Sequence, residues 1–136
     1  LFCKYGIPML IERGGGVIIN TASIAALRGA ADAHAYTATK GAIVALTRAL
    51  AVTYGPKGVR ANTICPGVID TEMIHDTLIA SEGIRSVLAK ATPVSRIGTA
   101  EDIADVALFL ASDASRFING EAIAVDGGLI HRVGIG

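Results

Sequence analysis

The sequence has 136 residues, 51% of them hydrophobic and only 4% aromatic, so one small domain with a core of Ala, Ile, Val and Leu is expected. Its 12 Lys and Arg balance 12 Asp and Glu, which leaves no electrostatic footprint for nucleic acid or an anionic membrane surface. The two cysteines, Cys3 and Cys65, form no CxxC pair and read as buried thiols in a reducing, cytoplasmic setting.

Leu1 to Ile11 is apolar, but Lys4 and Pro8 interrupt it. It is too short to span a bilayer and lacks the basic start and cleavage site of a signal peptide. Gly14-Gly15-Gly16 breaks this segment, and Val17-Ile18-Ile19 follows as a short apolar run. Such a run suits a strand covered on both faces, as in a parallel sheet. From about Ala33 to Tyr54 the residues favour a helix, which Gly55-Pro56 stops. Val59 to Cys65 reads as a second strand, ended by Pro66-Gly67. Pro66 to Pro93 shows no single long period, although Glu82 to Ala91 is helix-compatible. Thr99 is an expected N-cap, with Glu101 and Asp102 in a first turn where carboxylates suit the helix dipole. Apolar residues at 103, 106, 107 and 110 give that helix a buried stripe. Glu121 to Val125 is a third strand, and Asp126-Gly127-Gly128 turns it off.

Strand, helix, strand, helix, strand is the grammar of a right-handed parallel βαβ layer, in which ligands bind beyond the carboxyl ends of the strands. Ser23 follows the first strand, Pro66-Gly67 follows the second, and Tyr36 and Lys40 begin the helix between them. All of them are therefore expected on one rim. Tyr36 and Lys40, at i and i+4, share a helix face and lie roughly 6 Å apart along the axis. A free Tyr, with a pKa near ~10, is a poor base at neutral pH, and a nearby ammonium favours its phenolate. Such a Tyr passes a proton to or from an alcohol oxygen, and a hydroxyl such as that of Ser23 steadies the same oxygen. The trio offers no acceptor for hydride, so the chemistry requires a cofactor. YxxxK by itself is a weak signal whose bland reading is a solvent-facing helix pair; convergence on one rim strengthens it.

These segments resemble the C-terminal half of a classical short-chain dehydrogenase/reductase, over roughly Leu1 to Gly128. Asn20-Thr21-Ala22-Ser23 is similar to the family's strand-end segment, and Tyr36-Thr37-Ala38-Thr39-Lys40 to its YxxxK. Asn62 to Thr71 is similar to its N-x-x-x-P-G-x-x-x-T segment. PVSRIG at 93–98, Glu101 to Ala104, Asn119-Gly120 and Val125 to Gly128 are similar to its closing signatures. The resemblance implies half of a Rossmann-like doubly wound parallel sheet, with three strands and flanking helices, in which Tyr36 is the catalytic acid/base and Ser23 orients the substrate carbonyl. It implies that Lys40 favours the Tyr36 phenolate and hydrogen-bonds the nicotinamide ribose of NAD or NADP. Pro66, Gly67, Ile69 and Thr71 would contact the nicotinamide, and Thr71 to Pro93 would form a substrate lid. The substrate would be a small secondary alcohol or ketone, and the assembly a homodimer or homotetramer.

The family's Gly-rich dinucleotide turn has no counterpart here, since Gly14-Gly15-Gly16 precedes a strand rather than opening a helix. The residue that selects NAD or NADP and the family's active-site Asn are also missing. The chain is accordingly read as one partial domain, a piece of a longer polypeptide, whose first strand has an open edge. By itself it is expected not to turn over substrate, and the alternative reading is a non-catalytic scaffold or oligomerisation piece. His34 is open between a substrate contact and a solvent-facing loop. His75 and His131 lack ligand-spaced partners, which argues against a metal site. Asp126 is expected in a turn, Asn20 as a support for the strand end, and Arg96 in a structural ion pair or a hydrogen bond to the chain.

Overall fold

Three parallel strands in the order β1-β2-β3 form the sheet of the computed structural model, which describes residues 2–74 and 81–132. They are β1 (Gly16–Thr21), β2 (Val59–Pro66) and β3 (Ala122–Val125). The helices are α1 (Phe2–Glu12), α2 (Ala25–Arg28), α3 (His34–Tyr54), α4 (Glu72–Ile74), α5 (Glu82–Ala91) and α6 (Ala100–Ala111). The register pairs Gly16 with Val59 through Thr21 with Ile64, and Thr63 with Ala122 through Pro66 with Val125. Each strand-to-strand passage runs through helices, as a parallel sheet requires. The fold class agrees with the sequence reading.

Central β2 is buried along almost its whole length, and its residues alternate between two helical layers. Ala61 joins a core cluster with Ile7 of α1 and with Leu50 and Ala51 of α3, while Cys65 packs with Ala22 and Val44. Arg60 and Asn62 point the other way. The Arg60 guanidinium donates to the carbonyls of Leu110 (3.0 Å), Ser112 (3.3 Å) and Ile118 (3.3 Å), at and beyond the end of α6. Leu110, fully buried, anchors the α6 stripe on that face.

Helix α1 was not foreseen. Cys3, Ile7 and Ile11, one turn apart, press against the α3–β2 cluster. Pro8 is exposed on the far side, so the hydrogen bond that its missing N–H denies falls where water can replace it. The lysine and proline that look like interruptions in sequence occupy the solvent face of a helix. Gly15 follows at a φ of +131°, and a Cβ there would come within 2.5 Å of the Gly58 carbonyl. Only glycine lets β1 and β2 begin side by side.

Side chains set other boundaries. Thr99 and Asp102 form a reciprocal capping box: Asp102 N–H donates to Thr99 Oγ1 (3.4 Å), and Thr99 N–H to Asp102 Oδ2 (2.8 Å). Arg96 pairs with the same carboxylate at 2.5 and 2.7 Å, as expected. This fork and the Thr99 N–H hold the Asp102 carboxyl far below the usual carboxylate range. Strand β3 starts at Ala122 rather than Glu121, because the Glu121 N–H is taken by the Asn62 side chain at 3.0 Å. Asn119 in turn accepts from Ala61 N–H (2.9 Å) and donates to the Ala51 carbonyl (3.2 Å). The Asn62 and Asn119 positions are thus structural ties.

Candidate active site

Beyond β1 the chain stays hydrogen-bonded to β2: Ala22 N–H donates to Ile64 O (2.8 Å) and Ile24 N–H to Pro66 O (3.0 Å). Ser23, between them, is held at the carboxyl rim of the sheet. Its Oγ accepts from Ala25 N–H at 3.2 Å, which leaves the hydroxyl hydrogen free to donate elsewhere. Tyr36 lies in the first turn of α3, 48% exposed, and Lys40 one turn later. The Lys40 ammonium is 3.4 Å from the Thr21 carbonyl and 5.7 Å from the Tyr36 ring centroid. A cation therefore sits between the end of β1 and the phenol.

These three side chains line one open cleft of about 390 Å³. Its opposite wall is Pro66, Gly67, Ile69 and Thr71, so every residue singled out in the sequence as catalytic or cofactor-binding borders the same space. Ile74, Ala100 and Ile103 add apolar surface. Gly67 is obligatory by geometry, since a Cβ there would lie 2.8 Å from the Asp126 Cα and 2.6 Å from its Cβ. The missing side chain makes room for the Asp126 turn, and Gly67 itself borders the cleft.

Beneath the cleft lies a hydroxyl hub not singled out in the sequence. Thr47 Oγ1 accepts from Asn20 Nδ2 (2.8 Å) and Thr63 Oγ1 (2.7 Å) and donates to the Ile43 carbonyl (2.8 Å). It ties β1, β2 and α3 together one layer below Ser23 and Lys40. Its signal was available: Lys40, Val44, Thr47 and Ala51 recur at helical spacing on one face. Cys65 is fully buried there; burial pushes its thiol up, partly offset by the Ser23 backbone and by the charge of Lys40.

Other sequence expectations sort by position. His34 is exposed at the start of α3 and does not border the cleft. Asp126 accepts from Gly128 N–H (2.9 Å) and Ile130 N–H (2.8 Å), a turn role. Arg85 of α5 pairs with Asp70 at 2.8 Å, fastening α5 to the segment after β2. His75 and residues 75–80 of the expected lid lie outside the described residues. Among the described residues no three His, Cys, Asp or Glu gather as a metal site, and no helix is long and apolar enough to cross a membrane.

A family model described as enoyl-(acyl carrier protein) reductase matches residues 1–130. The chain is 41% identical over 127 residues to 2-(R)-hydroxypropyl-CoM dehydrogenase of Xanthobacter autotrophicus, covering 93% of this chain and 50% of that one. It superposes with a TM-score of 0.90 on a short-chain type dehydrogenase/reductase from Mycobacterium ulcerans, 37% identical, covering 97% of this chain and 48% of the other. The TM-score is 0.89 with a gluconate 5-dehydrogenase from Burkholderia cenocepacia bound to NADP and tartrate, 35% identical, covering 96% and 51%. The chain spans about half the length of the curated relatives it matches.

Proposed function

Because the chain belongs to the short-chain dehydrogenase/reductase family, we propose that its cleft is the acid/base half of an active site that interconverts a secondary alcohol and a ketone with NAD or NADP. The observation that carries this reading is the meeting of Ser23, Tyr36 and Lys40 with Pro66, Gly67, Ile69 and Thr71 around one space. NADP in the gluconate 5-dehydrogenase neighbour supports the cofactor class.

The residues present suit the nicotinamide end of such a cofactor. Pro66 and Gly67 offer a wall for the ring, Thr71 a hydroxyl, and Lys40 an ammonium for a ribose hydroxyl. When bound, the cofactor supplies the site's hydride exchange. The chain's own work is with the proton. Tyr36 Oη takes the proton of the alcohol, or returns it to the carbonyl oxygen in reduction. The Lys40 ammonium, 5.7 Å from the Tyr36 ring centroid, keeps a positive charge beside the group that handles this proton. The free Ser23 hydroxyl hydrogen donates to the same oxygen and holds it in line. The described parts of the expected lid, 71–74 and 81–93, the latter fastened through Asp70 and Arg85, act to exclude water.

The family setting favours a cytoplasmic homodimer or homotetramer. Exposed Phe2, Tyr5 and Met9 on α1, and Leu108 with Phe117 near α6, supply apolar surface for subunit contacts. The full encoded polypeptide, given NAD or NADP and a panel of secondary alcohols, should reduce the nicotinamide. Y36F should lower kcat by at least ~10³-fold, as expected for loss of the positioned acid/base together with its electrostatics. A Y36F enzyme with near-normal kcat would overturn the assignment.

A further inference from the structure

A second open cavity, about 460 Å³, lies where the ends of α2 and α5 meet the turn after β3. Arg28, Lys90 and Arg132 line it, with Val87, Ala91 and Leu129 as an apolar floor. Half of the lining is cationic, drawn from three separate segments, in a chain whose charges balance overall. Arg28 Nη1 donates to the carbonyls of Ile130 (3.1 Å) and Arg132 (3.4 Å), and Arg132 Nη1 to that of Lys90 (2.5 Å). The backbone thus draws the three segments together. Among the described residues none of the three cations is paired with a carboxylate. Each guanidinium keeps Nε and Nη2 donors beyond those bonds. Three like charges with no carboxylate partner among the described residues repel one another, and an anion placed among them removes that penalty.

Position relative to the cleft gives the cavity a role. Ser23 lies two residues before α2 (Ala25–Arg28), and Arg28 is that short helix's last residue, so one helical turn separates the cleft from the cavity. Lys90 belongs to α5, within the proposed lid. The cavity shares no lining with the Pro66–Thr71 wall assigned to the cofactor, so a substrate reacting at Ser23 would reach it with a tail that passes α2. We infer that Arg28, Lys90 and Arg132 form a subsite for an anionic tail of the substrate, a carboxylate, sulfonate or phosphate joined to the reacting carbon by a flexible apolar chain. The inference rests on the dehydrogenase reading above. Val87, Ala91 and Leu129 accommodate the end of the apolar chain.

The test uses the full polypeptide with its nicotinamide cofactor and two matched alcohols, 8-hydroxynonanoate and 8-hydroxynonanamide. The acid should exceed the amide in kcat/KM by on the order of tenfold at low salt, and the preference should shrink as added salt shortens the Debye length to ~8 Å and below. K90E, at an exposed position, should bring the acid-to-amide ratio to one or below. R28Q and R132Q should lower it severalfold, with thermal melting as the control for folding. Inorganic phosphate should compete with the acid. Equal use of acid and amide, or a ratio that K90E leaves alone, would overturn the subsite while leaving the dehydrogenase reading intact. Phosphate that stabilises the protein without competing would also overturn it, since the cavity would then serve a free anion. If neither alcohol is oxidised, binding is read instead. A melting rise with sodium nonanoate, absent with nonanamide and lost in K90E, would then still uphold the subsite, and no rise would overturn it.

Discussion

Replacing Thr47 with Val keeps the side chain's shape and deletes only the hydroxyl, which makes it a clean probe of the hub below the cleft. Three hydrogen bonds meet at that oxygen, but their losses are unequal. The Ile43 carbonyl keeps its place in α3, and the partly exposed Asn20 amide can turn to water, at about 0.5–1.5 kcal/mol. Thr63 is fully buried, and its hydroxyl loses its acceptor, which costs about 1–3 kcal/mol. The total is about 1.5–4.5 kcal/mol, a large part of the 5–15 kcal/mol that holds a typical domain together. Thr47→Ser deletes a buried methyl and keeps the oxygen, so it should cost only about 1 kcal/mol. Urea denaturation of the full polypeptide carrying each variant should therefore rank wild type above Ser and Ser above Val, with unchanged m-values. A Val variant as stable as the Ser variant would refute the reasoning. It would mean that packing, and not the shared hydroxyl, joins β1, β2 and α3.

Gly67→Ala should destabilise by about 1–3 kcal/mol through its collision with the Asp126 backbone, and should weaken nicotinamide binding as the Pro66–Gly67 wall shifts; calorimetry and cofactor titration read the two effects. Asp102→Asn should be less stable than wild type at neutral pH. Because the folded-state pKa of Asp102 is depressed, its contribution is present above its ordinary value of 3.8 and disappears as pH falls through the folded value; the gap between variant and wild type should close only in strong acid. Cys65, fully buried with a raised thiol pKa, should react with an aromatic disulfide reagent far more slowly than partly exposed Cys3, and the two rates should converge in denaturant. The same raised pKa favours the fold below the ordinary thiol value, so this contribution should fade in alkali.

The cleft was legible in the sequence because its makers are local signals. A short apolar run, a Tyr and Lys one helical turn apart, and a Pro-Gly strand stop each fix a position without knowledge of packing. The parallel connection then brings them to one rim. What escaped were features defined by partners distant in sequence. Lys4 and Pro8 look like breaks until Ile7 and Ile11 are seen against Leu50 and Ala61. The start of β3 depends on the Asn62 amide, 59 positions from Glu121. Thr47 looks like an ordinary helix residue until Asn20 and Thr63 are found on its hydroxyl.

The balance of 12 cations and 12 anions is similarly uninformative, because many of the cations bond carbonyls rather than carboxylates. Arg60 gathers three carbonyls around the end of α6, Lys40 approaches the carbonyl that ends β1, and Arg28 and Arg132 hold the segments beyond α2, β3 and α5. Each approaches a place where a helix or strand stops and leaves acceptors unpaired. Element ends are also where a parallel α/β layer builds its sites. The same residue type therefore closes the fold on one side and remains cationic toward the cleft on the other. At Lys40 that remaining charge faces the Tyr36 phenol, and at Arg28, Lys90 and Arg132 it faces an open cavity. Net charge averages these residues away, whereas their partners separate structural cations from those with charge to offer a ligand.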